Sequence, residues 1–254
     1  MKGYIAFTKK EFIEQLRTYR VLILLSVFFV FGLMSPLLAK LLPEILSGMD
    51  LQGMVIMIPE ATAIDAYAQF FKNITQMGII VILLIFGGVI SNELTKGTLI
   101  NVLAKGLRRH TVILAKYTAI LSLWTVTLVF ASLVNQGYTM FMFDTSSISN
   151  LVFSIFCLWL FGAFLLSLII LSSVLAGGSF GGLILTVVVL GGLLILDLFP
   201  KLEKVNPIYL TSHNLELLTG GLKATEAFLP VMVTVILILV NIGCSIILFN
   251  HKKM

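Results

Sequence analysis

Few residues in this chain could make or break a covalent bond. The two cysteines, Cys157 and Cys244, each sit inside an apolar run, where a thiol behaves as a small buried hydrophobe. The three histidines, His110, His213 and His251, show no ligand-like spacing with one another or with the cysteines, so no metal site is legible. There is no G-x-x-x-x-G-K-[ST] phosphate loop, no H-E-x-x-H and no nucleophile motif, which leaves the chain without a cofactor of its own. What remains is the chemistry of charge and hydrogen bonding, concentrated in two places. One is "SNELTKGTLINVLAKGLRRHT", Ser91 to Thr111, a polar stretch between long apolar runs that ends in the basic cluster Arg108, Arg109 and His110. The other is Asp65, Gln69, Asn73 and Gln76, whose spacings of four, four and three put them on one face of a helix. Where such a stripe enters a bilayer it must meet water, protein or a ligand. Alternatively, Asp65 and Gln69 stand on a solvated helix outside the membrane and only the inner two are buried.

The elements that carry these residues follow from composition. Of 254 residues, 59% are hydrophobic and 11% charged, against roughly 45–50% and about 25% in soluble domains. Crossing ~30 Å of hydrocarbon takes about 20 apolar residues in a helix. Six runs qualify, at about 21–39, 74–90, 112–134, 151–174, 179–199 and 228–249. Thr62 and Asp65 read as a capping box that starts a helix near Ala63, so the second span is drawn over 63–90. The first run is longer than a signal-peptide core and lacks a small-x-small cleavage site, so it is read as a retained span. The fold class is therefore all-α and integral to the membrane, a single 1–254 transmembrane domain of six helices.

Six spans place both termini on one side. Lysines and arginines concentrate in 1–20, 91–116 and 252–253, twelve of the seventeen, which puts that side in the cytoplasm. Residues 1–20 form an amphipathic interfacial helix, with Ile5, Phe12, Leu16 and Tyr19 on one face. It serves either as an orienting basic anchor or as a coupling element. Four glycines mark the 175–182 turn, where Gly177/Gly181 and Gly178/Gly182 permit close helix approach. Gly191 and Gly192 in the fifth run suggest the same, or a local break. The outer segment 200–227 contains a short helix before Gly220. The spans carry almost no charge apart from Asp197, which disfavours ion-driven transport by this chain alone.

The pattern "NELTKGTLINVLAKGLRRHTVILAKYTA" resembles the segment after the second span of ABC-2 type permeases: an acid before a Gly-Thr pair, a short amphipathic helix, a basic turn, and a lysine opening the third span. Glu93, Gly97, Thr98, Leu103, Arg108, Arg109 and Lys116 occupy those places. The upstream "IPEATAIDAYAQFFKNITQMG" is similar to members from Gram-positive bacteria. At "AKGLRRH" the chain departs from the many relatives that have a proline before the basic turn. The resemblance implies a permease subunit in the cell membrane, paired with a second permease, homo- or heteromeric, above two cytoplasmic ATPase subunits that bind ATP and Mg. It implies that 91–111 couples to the ATPase, as against a plain basic loop that only sets orientation. Leu94, Leu99, Val102 and Leu103 would form an apolar anchor, while Glu93, Lys96 and Lys105 pair with partner charges. Gly97, about 1 kcal/mol worse than Ala in a helix, would help the chain turn. The expected activity is ATP-driven export of an amphipathic peptide, drug or lipid, with no hydrolysis by this chain and no nucleic acid partner. The alternatives are a sensor or immunity subunit of the same architecture, and an intramembrane enzyme or assembly factor.

Overall fold

Inside a bilayer the backbone has no water to bond, so a spanning chain must satisfy its N–H and C=O groups within helices or a closed barrel. In the computed structural model every regular element among the described residues is helical. The structure describes residues 2–47, 60–104, 106–176, 178, 180–223 and 225–252. Pro59, Lys105, Gly177 and Lys253 lie outside the described residues.

Helix α1 (Lys2–Arg17) turns at Tyr19, a non-glycine residue at φ 57, into α2 (Arg20–Ser47). The second span is built from α3 (Ala63–Asn73), a π-turn over Ile74–Gly78, and α4 (Ile79–Phe86). It starts at Ala63, where Asp65 Oδ2 accepts both the N–H and the hydroxyl of Thr62, each at 2.8 Å. The polar stretch folds as α5 (Ser91–Thr95) and α6 (Thr98–Ala104), separated by Gly97 at φ 68. The basic turn after α6 is made by Gly106 at φ 88, a conformation glycine adopts without penalty, so no proline is needed to bend the chain. Then come α7 (Arg109–Met142), α8 (Leu151–Leu175) and α9 (Gly181–Asp197). A 3₁₀ turn (Glu203–Val205), α10 (Tyr209–Ser212) and α11 (Asn214–Thr219) form the connection from α9 to α12 (Phe228–His251). The short helix expected before Gly220 is α11, and Gly220 ends it at φ 75.

Five stretches are long and apolar enough to cross a membrane: 20–43, 63–95, 109–142, 151–175 and 228–251. The sixth expected crossing, α9, has 17 residues, about 26 Å of helix and the lower end of the workable range. Conversely α7 does not stop with the apolar run at 134 but continues to Met142, so its 34 residues extend about 51 Å.

Helix α8 is the centre of the bundle, with every residue from Leu160 to Ile170 buried. It packs on α12, α9 and α7, while α2 lies along α7 and α3. Because lipid is as apolar as leucine, close contact and hydrogen bonds hold such helices together. Small residues supply the contact: a Cβ added at Gly32 would lie 2.6 Å from Ala131 O, and one at Gly182 2.6 Å from Gly87 O. A Cβ at Gly191 or Gly192 would meet nothing within 4 Å, so the close approach expected there is absent among the described residues. Interhelical hydrogen bonds join Ser173 Oγ to Gly87 O (3.0 Å) and Asn241 Nδ2 to Ser167 Oγ (3.1 Å).

Candidate functional site

Helix α1 packs through its more polar face. Phe7, Glu11 and Gln15, four residues apart, are buried, while Ile5, Leu16 and Tyr19 remain more than 60% exposed. This brings Glu11 against α7, where Lys116 sits in the apolar sequence "VILAKYTAIL" with its side chain 1% exposed. Lys116 Nζ donates to Glu11 Oε2 at 2.9 Å and to Glu93 Oε1, on α5, at 2.8 Å. Lys10 Nζ reaches the rim of the same group, at 3.0 Å from Glu11, 2.6 Å from Glu14 and 3.4 Å from Glu93. One lysine thus joins three separate parts of the chain: the amphipathic helix, the stretch after the second span, and the third span.

The charges within the junction nearly balance. Partial burial alone would lower the Lys10 pKa, but hydrogen bonds and charge from Glu14, Glu11 and Glu93 outweigh it and raise it. Glu14 is likewise held below its ordinary value: burial opposes ionisation, and the Lys10 hydrogen bond and charge overcome it. Carboxylate oxygens of Glu11, Glu14 and Glu93 converge within 4.8 Å of one another, a spacing that could hold a metal ion. The ammonium groups of Lys10 and Lys116 already pair with all three carboxylates and balance two of the three charges. The arrangement is therefore a clamp.

The other residues of the stretch divide between inside and outside. Leu99 is buried, and Leu94, Val102 and Leu103 pack half-buried on the core. The apolar face expected to anchor a partner is thus turned largely toward this chain's own bundle. Glu93, expected to meet a partner's charge, is satisfied internally. Thr98, whose hydroxyl donates to Glu93 O at 3.3 Å, remains exposed with Lys96 and Arg108. Between α1 and α6 lies an open cavity of about 430 Å³, lined by Phe7, Lys10, Val102, Leu107 and small residues of both segments.

The stripe Asp65, Gln69, Asn73 and Gln76 does not keep one face. Asp65 and Gln69 line a cavity of about 460 Å³ beside the end of α2. Asn73 turns to α2 and donates to Ser35 Oγ at 3.0 Å, while Gln69 donates to Asn73 Oδ1 at 3.4 Å. Gln76, within the π-turn, lines a different cavity together with Asp197. The wider π-turn rotates α4 relative to α3, so a spacing counted at 3.6 residues per turn fails there.

A family model described as ABC-2 family transporter protein matches residues 5–254. The chain belongs to the ABC-2 transporter family. No curated protein matches it. Membership agrees with an all-helical membrane subunit that carries no catalytic centre of its own. It also gives the end of the ABC-2 chain that holds α1, α5 and α6 particular interest, because the ends of other helices are tied in there too. Arg109 Nη1 donates to the carbonyls of Phe249 (2.9 Å), Asn250 (2.8 Å) and Lys252 (2.8 Å), capping α12. Lys252 Nζ in turn donates to Val174 O near the end of α8. Arg109, grouped in sequence with the coupling residues, is thus a cap for a helix terminus whose carbonyls lack partners.

Removing that cap by Arg109→Gln should cost about 1–2 kcal/mol, as expected for a cation at a helix C-terminus. The loss should be local, seen as faster hydrogen exchange in the last turn of α12 with the rest of the ABC-2 chain unchanged. Unaltered exchange there would show that the cap contributes nothing.

The sequence points to Glu93 and to the lysine of the third span, but not to Glu11 as their partner. A signal is present, because a lysine inside an apolar run has to be paired. The choice among distant acids is not legible.

Proposed function

We propose that this chain is the permease subunit of an ATP-driven exporter, inserted in the cell membrane with both termini in the cytoplasm, and that it moves an amphipathic peptide, drug or lipid. The concentration of basic residues at the end holding α1, α5 and α6 supports that orientation. ATP and Mg belong to a separate ATPase pair beneath two permease subunits. The observation that carries the reading is Lys116, which holds Glu11 and Glu93 at once. Through it, force applied by a partner to the short helices after the second span reaches α1 and the rod of α7, about 51 Å long, together. The partner-facing surface is the exposed rim of Thr98 and Arg108 with the α1–α6 cavity, whose Lys10 offers a charge at its edge.

Arg108 tests this directly, since it is exposed and makes no ion pair among the described residues. Arg108→Glu should leave the melting temperature of the purified permease unchanged. It should lower co-purification with a co-expressed partner ATPase, and substrate-stimulated hydrolysis, by about five- to tenfold, because a reversed rim charge opposes association. Wild-type assembly and stimulation in this variant would remove the coupling role and leave the stretch a plain orienting loop.

A further inference from the structure

The cavity that Gln76 lines has a volume of about 540 Å³ and lies between the second, fourth and fifth spans and the connection from α9 to α12. That volume is within the usual range of small-molecule sites. Phe161, Ile79 and Leu194 give it an apolar lining, and Gln76, Asp197 and Thr211 give it polar groups. Asp197 is the one carboxylate among them, and neutral groups fix it. Asn206 Nδ2 donates to its Oδ1 at 3.2 Å and Ser212 Oγ reaches its Oδ2 at 3.5 Å. Asn206 is itself anchored, donating to Leu193 O at 2.8 Å and accepting the Ile208 N–H at 3.2 Å. Among the described residues no basic side chain pairs with Asp197. His213, on the adjoining turn, is taken by Glu203 at 2.9 Å and stacks on Tyr209 at 4.0 Å. The amide of Gln76 also has no partner among the described residues.

A carboxylate at the edge of a membrane-level apolar cavity needs a countercharge, and this chain positions the acid without providing one. We propose that the cavity binds an amphiphile bearing an ammonium group. The ammonium donates to Asp197, with the Gln76 carbonyl and the Thr211 hydroxyl as further acceptors, and the apolar tail lies along Ile79, Phe161 and Leu194. As a statement about the transported substrate this rests on the exporter reading. As a binding site it does not. The same chemistry is offered by a free hydrophobic amine and by an ethanolamine lipid headgroup, and the experiment separates the two.

The purified full chain in uncharged maltoside micelles is titrated with radiolabelled dodecylamine, and with dodecanol as the neutral counterpart. Saturable dodecylamine binding is expected. Asp197→Asn, which keeps an oxygen for Asn206, should weaken it by about tenfold or more while leaving dodecanol unchanged. Displacement of the amine by added phosphatidylethanolamine identifies a lipid headgroup as the natural ligand, and failure to displace identifies a free amine. Absence of saturable binding to the folded wild type, or equal amine affinity in Asp197→Asn, overturns the site. Should that variant not fold, Gln76→Glu decides: tighter amine binding supports the proposal, and unchanged or weaker binding overturns it. No ATPase is present in the measurement, so failure of transport coupling leaves the result standing.

Discussion

Lys116→Met should lower the stability of the purified chain by about 3–5 kcal/mol, the range for leaving one member of a buried ion pair without its partner. The stranded group is Glu11, whose side chain is 2% exposed and whose remaining ammonium contact is Lys10 at 3.0 Å on the rim. Glu93 suffers less, being 15% exposed and still within 3.4 Å of Lys10. Adding Glu11→Gln to Lys116→Met should therefore recover most of the loss, because a neutral amide costs far less to bury than a carboxylate. The double-mutant cycle, read by thermal unfolding in one detergent at one protein concentration, isolates the coupling between the two residues. Additive losses, or a single mutant within about 1 kcal/mol of wild type, would show that the junction is not a structural clamp. Both variants should also uncouple ATP hydrolysis from substrate, in contrast to Arg108→Glu, which should weaken assembly without altering stability.

Gly162→Ala should be nearly as damaging, although it adds a single methyl group. A Cβ at this position would stand 2.3 Å from Trp124 Cε2, 2.4 Å from Cζ2 and 2.5 Å from Nε1. The indole cannot simply swing aside. Its Nε1 donates to Trp159 O at 3.0 Å, and its ring meets Phe28 edge-on at 5.8 Å. Overpacking costs about 1–3 kcal/mol, and breaking the buried Trp124 hydrogen bond adds about 1 kcal/mol or more. We expect a total of about 3 kcal/mol. The chain has only two tryptophans, and they share this contact: Trp124 Nε1 donates to the Trp159 carbonyl, and Trp159 Nε1 donates to Thr125 Oγ1 at 2.9 Å. Intrinsic fluorescence therefore reports the site directly: Gly162→Ala should shift the emission and lower the melting temperature together. An unchanged spectrum at wild-type stability would mean that the helices move apart without cost.

Much of this fold is legible in the sequence for a simple reason. Apolar length sets where a helix can cross a bilayer, and it locates the second span, α8 and α12 within a few residues, while α2 begins where expected and runs on past the apolar run to Ser47. Local hydrogen-bonding chemistry sets the start at Ala63 and the stop at Gly220. Properties that depend on pairing across the bundle are not available from such signals. Glu11 and Lys116 are 105 positions apart, and α1 reads as amphipathic in a way that points its buried acid toward solvent. Arg109 looks like its neighbour Arg108, yet one caps α12 and the other is exposed, a difference decided by where α12 ends. The extension of α7 past Asn135 and Gln136 is hidden because polar residues end an apolar run without ending a helix.

The π-turn of the second span has a further consequence for counting. Buried positions in this span run 63, 66, 67, 70, 71 and 74, then 78, 82, 83 and 86, whereas a ruler of about 3.6 laid from Ala63 marks the interior up to Ile74 and would next mark 77 and 81. Met77 is 57% exposed and Leu84 69%, so from the turn onward the lipid side falls where that ruler places the interior. The segment contains one residue more than its path requires. Aligned with a relative whose second span is an unbroken α-helix, this chain needs a one-residue gap between Ile74 and Gly78. With the gap placed downstream instead, Gln76 would be matched to the wrong face. With no gap at all, every position through Glu93 would be compared with its neighbour, and the acid that holds Lys116 would vanish from the comparison.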